Sequence, residues 1–192
     1  MGEVEGEVRD EKLDAEREAR RRLALAQVRQ YPDPVLRLKA NEVEVFDQAL
    51  ESLVERMGRL MREARGVGLA ASQIGILQRV FVYQTGEEEE AGIVALVNPR
   101  VAAESEERET ADEGCLSLAA ATVVVPVERP TRVTVEAVSP TGEPVTVEAG
   151  GLSARVIQHE LDHLDGVLTI DRTTPEARRR ALAELRPQPF AG

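Results

Sequence analysis

Between Ile76 and Ala149 the chain strings together short β-forming stretches: "ILQRVFVYQ" (76–84), "AGIVALVNP" (91–99), "ATVVVPVERP" (121–130), "RVTVEAVSP" (132–140) and "EPVTVEA" (143–149). Pro and Gly punctuate them, and no regular alternation with helices separates one from the next. A parallel sheet would need such crossovers, so the runs specify mostly antiparallel pairing. "SPTGEP" (139–144) reads as a hairpin turn, and the acidic run Glu87–Glu90 as a solvated hairpin tip.

Helical periodicity lies on either side of this block. Leu50, Leu53, Val54, Met57, Leu60, Met61 and Ala64 recur at helical spacing after Asp47, and Gly66 and Gly68 are expected to end that helix. A second helix runs from Leu152 to about Leu164, with Ser153 available as its cap. A third spans Pro175 to Leu185, starting on Pro and stopping before Pro187. The fold class expected is α+β: mostly antiparallel β-sheets packed around a central helix, the one that carries His159 and His163. At the front, Asp10 to about Gln27 is rich in alternating charge and reads either as an exposed or partly docked helix, with pairs such as Glu16 and Arg20, or as a loosely ordered extension. "YPDPVL" (31–36) must be a turn.

The net charge of −11 and an aromatic content of 3% disfavour a nucleic-acid partner, which needs cations and stacking rings. The single Cys excludes an internal disulfide framework. The start lacks the apolar core of a secretory signal, and no run reaches membrane-spanning length, so the expectation is a cytoplasmic protein with no membrane partner.

Both histidines of the chain fall in "VIQHELDHLDG" (156–166), four positions apart. On a helix they present two imidazoles to one point, the spacing that grips a metal ion, with Glu160 beside the first ligand. A catalytic ion needs three protein ligands and an open position. The metzincin pattern would put a third histidine at position 169, where this chain has Thr169. Glu176 and Cys115, in "DEGCLSL", are the candidates that remain.

"GVGLAASQIG" (66–75), "EGCLS" (113–117) and "QHELDHLDG" (158–166), in that order, resemble the three signature blocks of peptide deformylase, and "YPDPVLRLKA" (31–40) resembles the family's N-terminal segment. The likeness runs from Val28 to Arg172. It implies a charged extension at 1–27, a catalytic domain at 28–172 and a C-terminal helix and tail at 173–192. It further implies a hydrolase that removes the N-formyl group from formylmethionine on nascent polypeptides. By the same resemblance Cys115, His159 and His163 bind one divalent metal, usually Fe²⁺, with Zn²⁺, Ni²⁺ or Co²⁺ able to substitute. Glu160 is then the general acid/base acting on a metal-activated water. The Gln73 amide and the Leu116 backbone N–H are the oxyanion donors, and Val67, Gly68, Gly114, Leu116 and Val156 contact the substrate.

The chain departs from the family pattern in two places. Leu118 and Ala119 stand where an aliphatic residue and Pro are usual, in a stretch that is slightly long before Arg129, so a peptide-holding arginine is displaced or missing. Ser72 replaces a more usual Pro, Asn or Thr. Two other readings share the same residues, a zinc peptidase and a non-catalytic, metal-stabilised peptide-binding module. The run Arg178 to Arg180 suggests transient ribosome contact, weighed against a solvated helix face.

Overall fold

A computed structural model describes residues 2–85 and 92–186, with the backbone alone for residues 2–12. The expected acidic tip at Glu87–Glu90 and the stop at Pro187 lie outside the described residues. In chain order the helices are α1 (Gly2–Leu25), α2 (Gln48–Glu63), α3 (Gly151–Leu164) and α4 (Pro175–Glu184). The strands are β1 (Gly68–Ala70), β2 (Val80–Gln84), β3 (Ile93–Glu104), β4 (Arg108–Gly114), β5 (Val124–Pro130), β6 (Arg132–Val138) and β7 (Pro144–Gly150).

Strands β1-β2-β3-β6-β7 form one antiparallel sheet, and β4 pairs with β5 in a second. Side chains alternate between the faces of a strand, and β2 uses both faces. Val80 and Val82 pack with Met57, Leu60 and Met61 of α2, while Phe81 and Tyr83 pack with Ile157, Leu161 and Leu164 of α3. The five-stranded sheet is therefore a layer between two helices. A third cluster, with Leu118, Val125, Val127, Leu168 and Ile170, closes the other side of the molecule beneath α4. The α+β expectation, antiparallel sheets around a central helix, holds.

Local chemistry explains where the elements begin and end. Asp47 caps α2, its carboxylate accepting from the N–H groups of Ala49 (3.0 Å) and Leu50 (3.2 Å). At the other end of α2 the left-handed residue is Arg65, at φ 58°, not a glycine. Arg65 N–H reaches Arg62 O (3.0 Å) and Gly66 N–H reaches Met61 O (2.8 Å), which together tie off the last carbonyls. Gly66 and Gly68 follow the stop rather than make it. Ser153 is not the cap of α3 either, because that helix starts at Gly151, on Gly150, and leaves Ser153 inside the first turn. The run at 76–84 enters the sheet only at Val80; before that, Gln78 makes an isolated parallel bridge to Asn41. β3 runs past Pro99 to Glu104 through register shifts. At its kink Asn98 (φ 50°) exchanges two hydrogen bonds with the backbone of Val43, at 2.8 and 2.9 Å.

Among the described side chains, Ala24 in the last turn of α1 and Val28 just beyond it are buried against α2, whereas the preceding turns expose charge pairs such as Asp14–Arg17 and Glu16–Arg20.

Candidate active site

Helix α3 is buried on most of its circumference, and its polar residues are buried with it: Gln158, Glu160, Asp162 and His163. Buried polar groups need partners, so these side chains must meet one another or neighbouring strands. His159 and His163, one turn apart, bring their Nε2 atoms to 3.2 Å. Cys115, the first residue beyond β4, places Sγ 3.2 Å from His163 Nε2. One ligand atom from each of the three lies within 4.8 Å of the others. The other third-ligand candidate, Glu176, is exposed on α4 and pairs with Arg179 at 2.9 Å, away from this group.

One soft thiol and two imidazoles suit a borderline divalent ion, and the imidazole ring of His159 is already oriented for one. Its Nδ1 is 3.1 Å from Glu113 Oε2, which turns Nε2 toward the sulfur. Burial and the neighbouring His159 hold His163 well below the ordinary histidine range, so it offers a neutral ring. Burial opposes charge on His159 too, but hydrogen bonds that its ring donates to Cys115 and Glu113 raise it well above that range. An ion held there would displace the proton from this ring.

Glu113 belongs to a buried network whose parts no sequence pattern joins. Arg129 donates to it through Nε (2.7 Å) and Nη2 (2.9 Å), and through Nη1 to Asp162 (2.9 Å). Arg155 adds a bond to Glu113 at 2.8 Å, and Arg172 Nε holds Asp162 from the surface at 3.1 Å. Burial raises the Glu113 carboxyl, but the His159 and Arg129 hydrogen bonds outweigh it and leave the pKa at about 2. Arg129 is thus no peptide-holding arginine; it is 4% exposed and spent on two carboxylates. Charged residues beside the Cys block and inside the His motif were the available signal, but pairing across 16 and 33 positions is not readable from one sequence.

Cys115 and His159 open onto a cleft of about 240 Å³. Val67, Gly68, Gly114, Leu116 and Val156, all expected at the substrate, line it together with Gln73 and Glu160. Gly68 lies on β1, an edge strand whose outer side pairs with no other strand among the described residues, as addition of an extended chain requires. Gln73 is buried, its Oε1 accepting from Ala70 N–H (2.9 Å) and its Nε2 donating to Ser117 Oγ (3.2 Å), 3.7 Å from Cys115 Sγ. Among the described residues the Leu116 N–H meets no acceptor. Glu160 Oε2 is buried without a partner, and burial lifts this carboxyl to about 7. A carboxyl poised there can take and return a proton near neutral pH.

The family model for polypeptide deformylase matches residues 25–179. Peptide deformylase of Acidothermus cellulolyticus is 44% identical over 171 residues, covering 88% of this chain and 91% of the relative. That of Natranaerobius thermophilus is 47% identical over 150 residues, covering 78% and 93%. Among solved structures, peptide deformylase from Thermotoga maritima superposes with a TM-score of 0.72 at 46% identity, over 77% of this chain and 97% of that one. The Legionella pneumophila enzyme gives 0.76 at 36% identity, over 82% and 91%. Similarity of this extent, spanning every residue that meets at the cleft, shows that the chain belongs to the polypeptide deformylase family, enzymes that use a single catalytic metal to remove the formyl group from the N-terminal formylmethionine of polypeptides.

Proposed function

We propose that Cys115, His159 and His163 are the ligands of the catalytic ion and that Glu160 is the general acid/base, within a catalytic domain spanning residues 28–172. The observation that carries this is the Glu160 carboxyl, buried, unpartnered at Oε2 and raised to about 7, beside a thiol and two imidazoles within 4.8 Å of one another. A divalent ion held by these three supplies Lewis acidity, making water acidic near neutrality and polarising a carbonyl oxygen.

The chain's own residues do the rest. Glu160 takes the proton of the attacking water and returns it to the departing methionine amine. The Leu116 N–H and the Gln73 carboxamide donate to the formyl oxygen as it gains charge, each contributing about 10²- to 10³-fold in rate. Val67 and Gly68 present backbone to the extended peptide, and Leu116 and Val156 line the pocket for the methionine side chain. Gly114 leaves room at the far wall.

Fe²⁺ is the proposed native ion, on the strength of the single thiolate and the family's usual metal, with Zn²⁺, Ni²⁺ and Co²⁺ as substitutes. Metal analysis of anaerobically purified protein, with activity measured on the same sample, decides between them. The substrate's origin on translating ribosomes argues for the cytoplasm. For ribosome contact the candidate is Arg178–Arg180, but Arg178 already pairs with Asp171 and Arg179 with Glu176. Unchanged co-sedimentation with ribosomes after deletion of residues 175–192 removes that reading.

The test of the site assignment is Glu160→Gln, assayed on a formyl-Met peptide beside the same peptide unformylated. The variant keeps its ion and loses nearly all deformylation, and the parent does not cut inside the unformylated peptide. Retained turnover excludes Glu160 as acid/base.

A further inference from the structure

Ala119, Ala120 and Ala121 have φ values of 47°, 54° and 67°. L-residues visit this left-handed region singly, because Cβ crowds the backbone there, and a run persists only where its surroundings hold it. The turn is part of the cleft. Ala121 lines it, and the Ala121 carbonyl would lie 3.3 Å from a Cβ on Gly114. Within the loop, Ala121 N–H reaches Cys115 O (3.0 Å) and Thr122 N–H reaches Ala119 O (3.2 Å).

A further hold comes from the far end of the sequence. Gln30 Oε1 accepts from Ala120 N–H at 3.2 Å, and Gln30 Nε2 donates to Leu116 O at 2.9 Å. The neighbours of Gln30 fix its backbone to the same loops: Arg29 N–H donates to Gln73 O (2.7 Å) and Tyr31 N–H to Ser117 O (2.9 Å). The carboxamide is therefore aimed from an anchored segment and joins the residue after the ligand Cys to the strained turn.

We propose that Gln30 is a positioning residue for deformylation: its N–H side sets the backbone at Leu116, and its oxygen holds the Ala119–Ala121 turn as a wall of the substrate pocket. This rests on the reading of Leu116 N–H as an oxyanion donor. The two halves of one side chain then act on different parameters, the donor half on kcat and the acceptor half on KM.

Three variants separate the halves. Gln30→Glu keeps an acceptor for Ala120 and has no donor for Leu116 O. Gln30→Ala loses both contacts. Ala120→Gly relieves the crowding at φ 54°, so the turn stands without help. On a formyl-Met peptide, Gln30→Glu is expected to lower kcat about ten-fold with KM near the parent's, a partial form of the loss that misplacement by about 1 Å brings. Gln30→Ala lowers kcat and also raises KM, and adding Ala120→Gly to it restores KM but not kcat. Parental kcat in Gln30→Glu, or a KM in Gln30→Ala that Ala120→Gly fails to lower, overturns the proposal. Glu160→Gln run alongside distinguishes the failures. If it is inactive while the Gln30 variants match the parent, only the Gln30 assignment falls; if it is active, the reading of the site falls first.

Discussion

Gly68 lies so close to Glu160 that a Cβ built on it would collide with Oε1 and stand 2.9 Å from Val156 Cγ1. The glycine of the edge strand is thus part of how the carboxylate is placed, beyond leaving backbone open to a peptide. Gly68→Ala should push the Glu160 carboxylate out of position while α3 and the ligands stay. We expect kcat/KM to fall about 10²-fold, with metal content and thermal unfolding close to the parent's. Near-parental turnover would show that the contact has no bearing on catalysis.

Arg129 is the only cation that touches both Glu113 and Asp162 among the described residues, and all three are buried. Removing it leaves two carboxylates under-paired in a low dielectric. Arg129→Met should cost about 3–5 kcal/mol of stability, read from the denaturant midpoint. A loss below about 1 kcal/mol, typical of an exposed pair, would mean that water reaches the network.

Glu113 Oε2 lies 3.1 Å from His159 Nδ1, so on the proposed ligand set it orients a metal ligand without being one. Glu113→Gln keeps the shape but gives His159 Nδ1 a weaker partner, so metal affinity should drop about 10- to 100-fold, measured by competition with a chelator. Unchanged affinity would assign Glu113 to folding alone.

Asp171, which does not line the cleft, gives a pH prediction. It accepts from Arg37 and from Leu168 N–H (2.9 Å) and pairs with Arg178 at 3.0 Å, tying α4 to the segment before it. Burial raises its carboxyl, but the Arg37 and Leu168 bonds outweigh that and bring it below the ordinary 3.8. A lowered native value means the unfolded chain takes the proton first. The stabilisation is present above pH 3.8 and drains as pH falls through the native value. Asp171→Asn cannot titrate, so its stability should fall less steeply than the parent's as acid is added below that pH. Parallel slopes would contradict the assignment.

Much of this was legible in the sequence because periodicity and composition reported it directly. The apolar spacing from Leu50 to Ala64 gave α2, and two histidines four apart gave the face of α3. β4 carries no strand signal because "RETADEG" has no apolar alternation; it is a strand through its pairing with β5, residue for residue from Arg108↔Pro130 to Gly114↔Val124. β1 is three residues long, too short for any period to register. The Glu113–Arg129–Asp162 network was hidden for a different reason. Each residue alone looks like ordinary surface charge, and only the burial of α3 against both sheets makes their pairing obligatory.

The account turns on sulfur and two imidazoles sharing one ion. Anaerobic replacement of the native metal by Co²⁺, followed by electronic absorption, tests this most directly. One Co²⁺ per chain should give a sulfur-to-cobalt charge-transfer band that disappears in Cys115→Ala. A parent spectrum without that band, or a band that survives the substitution, would contradict it.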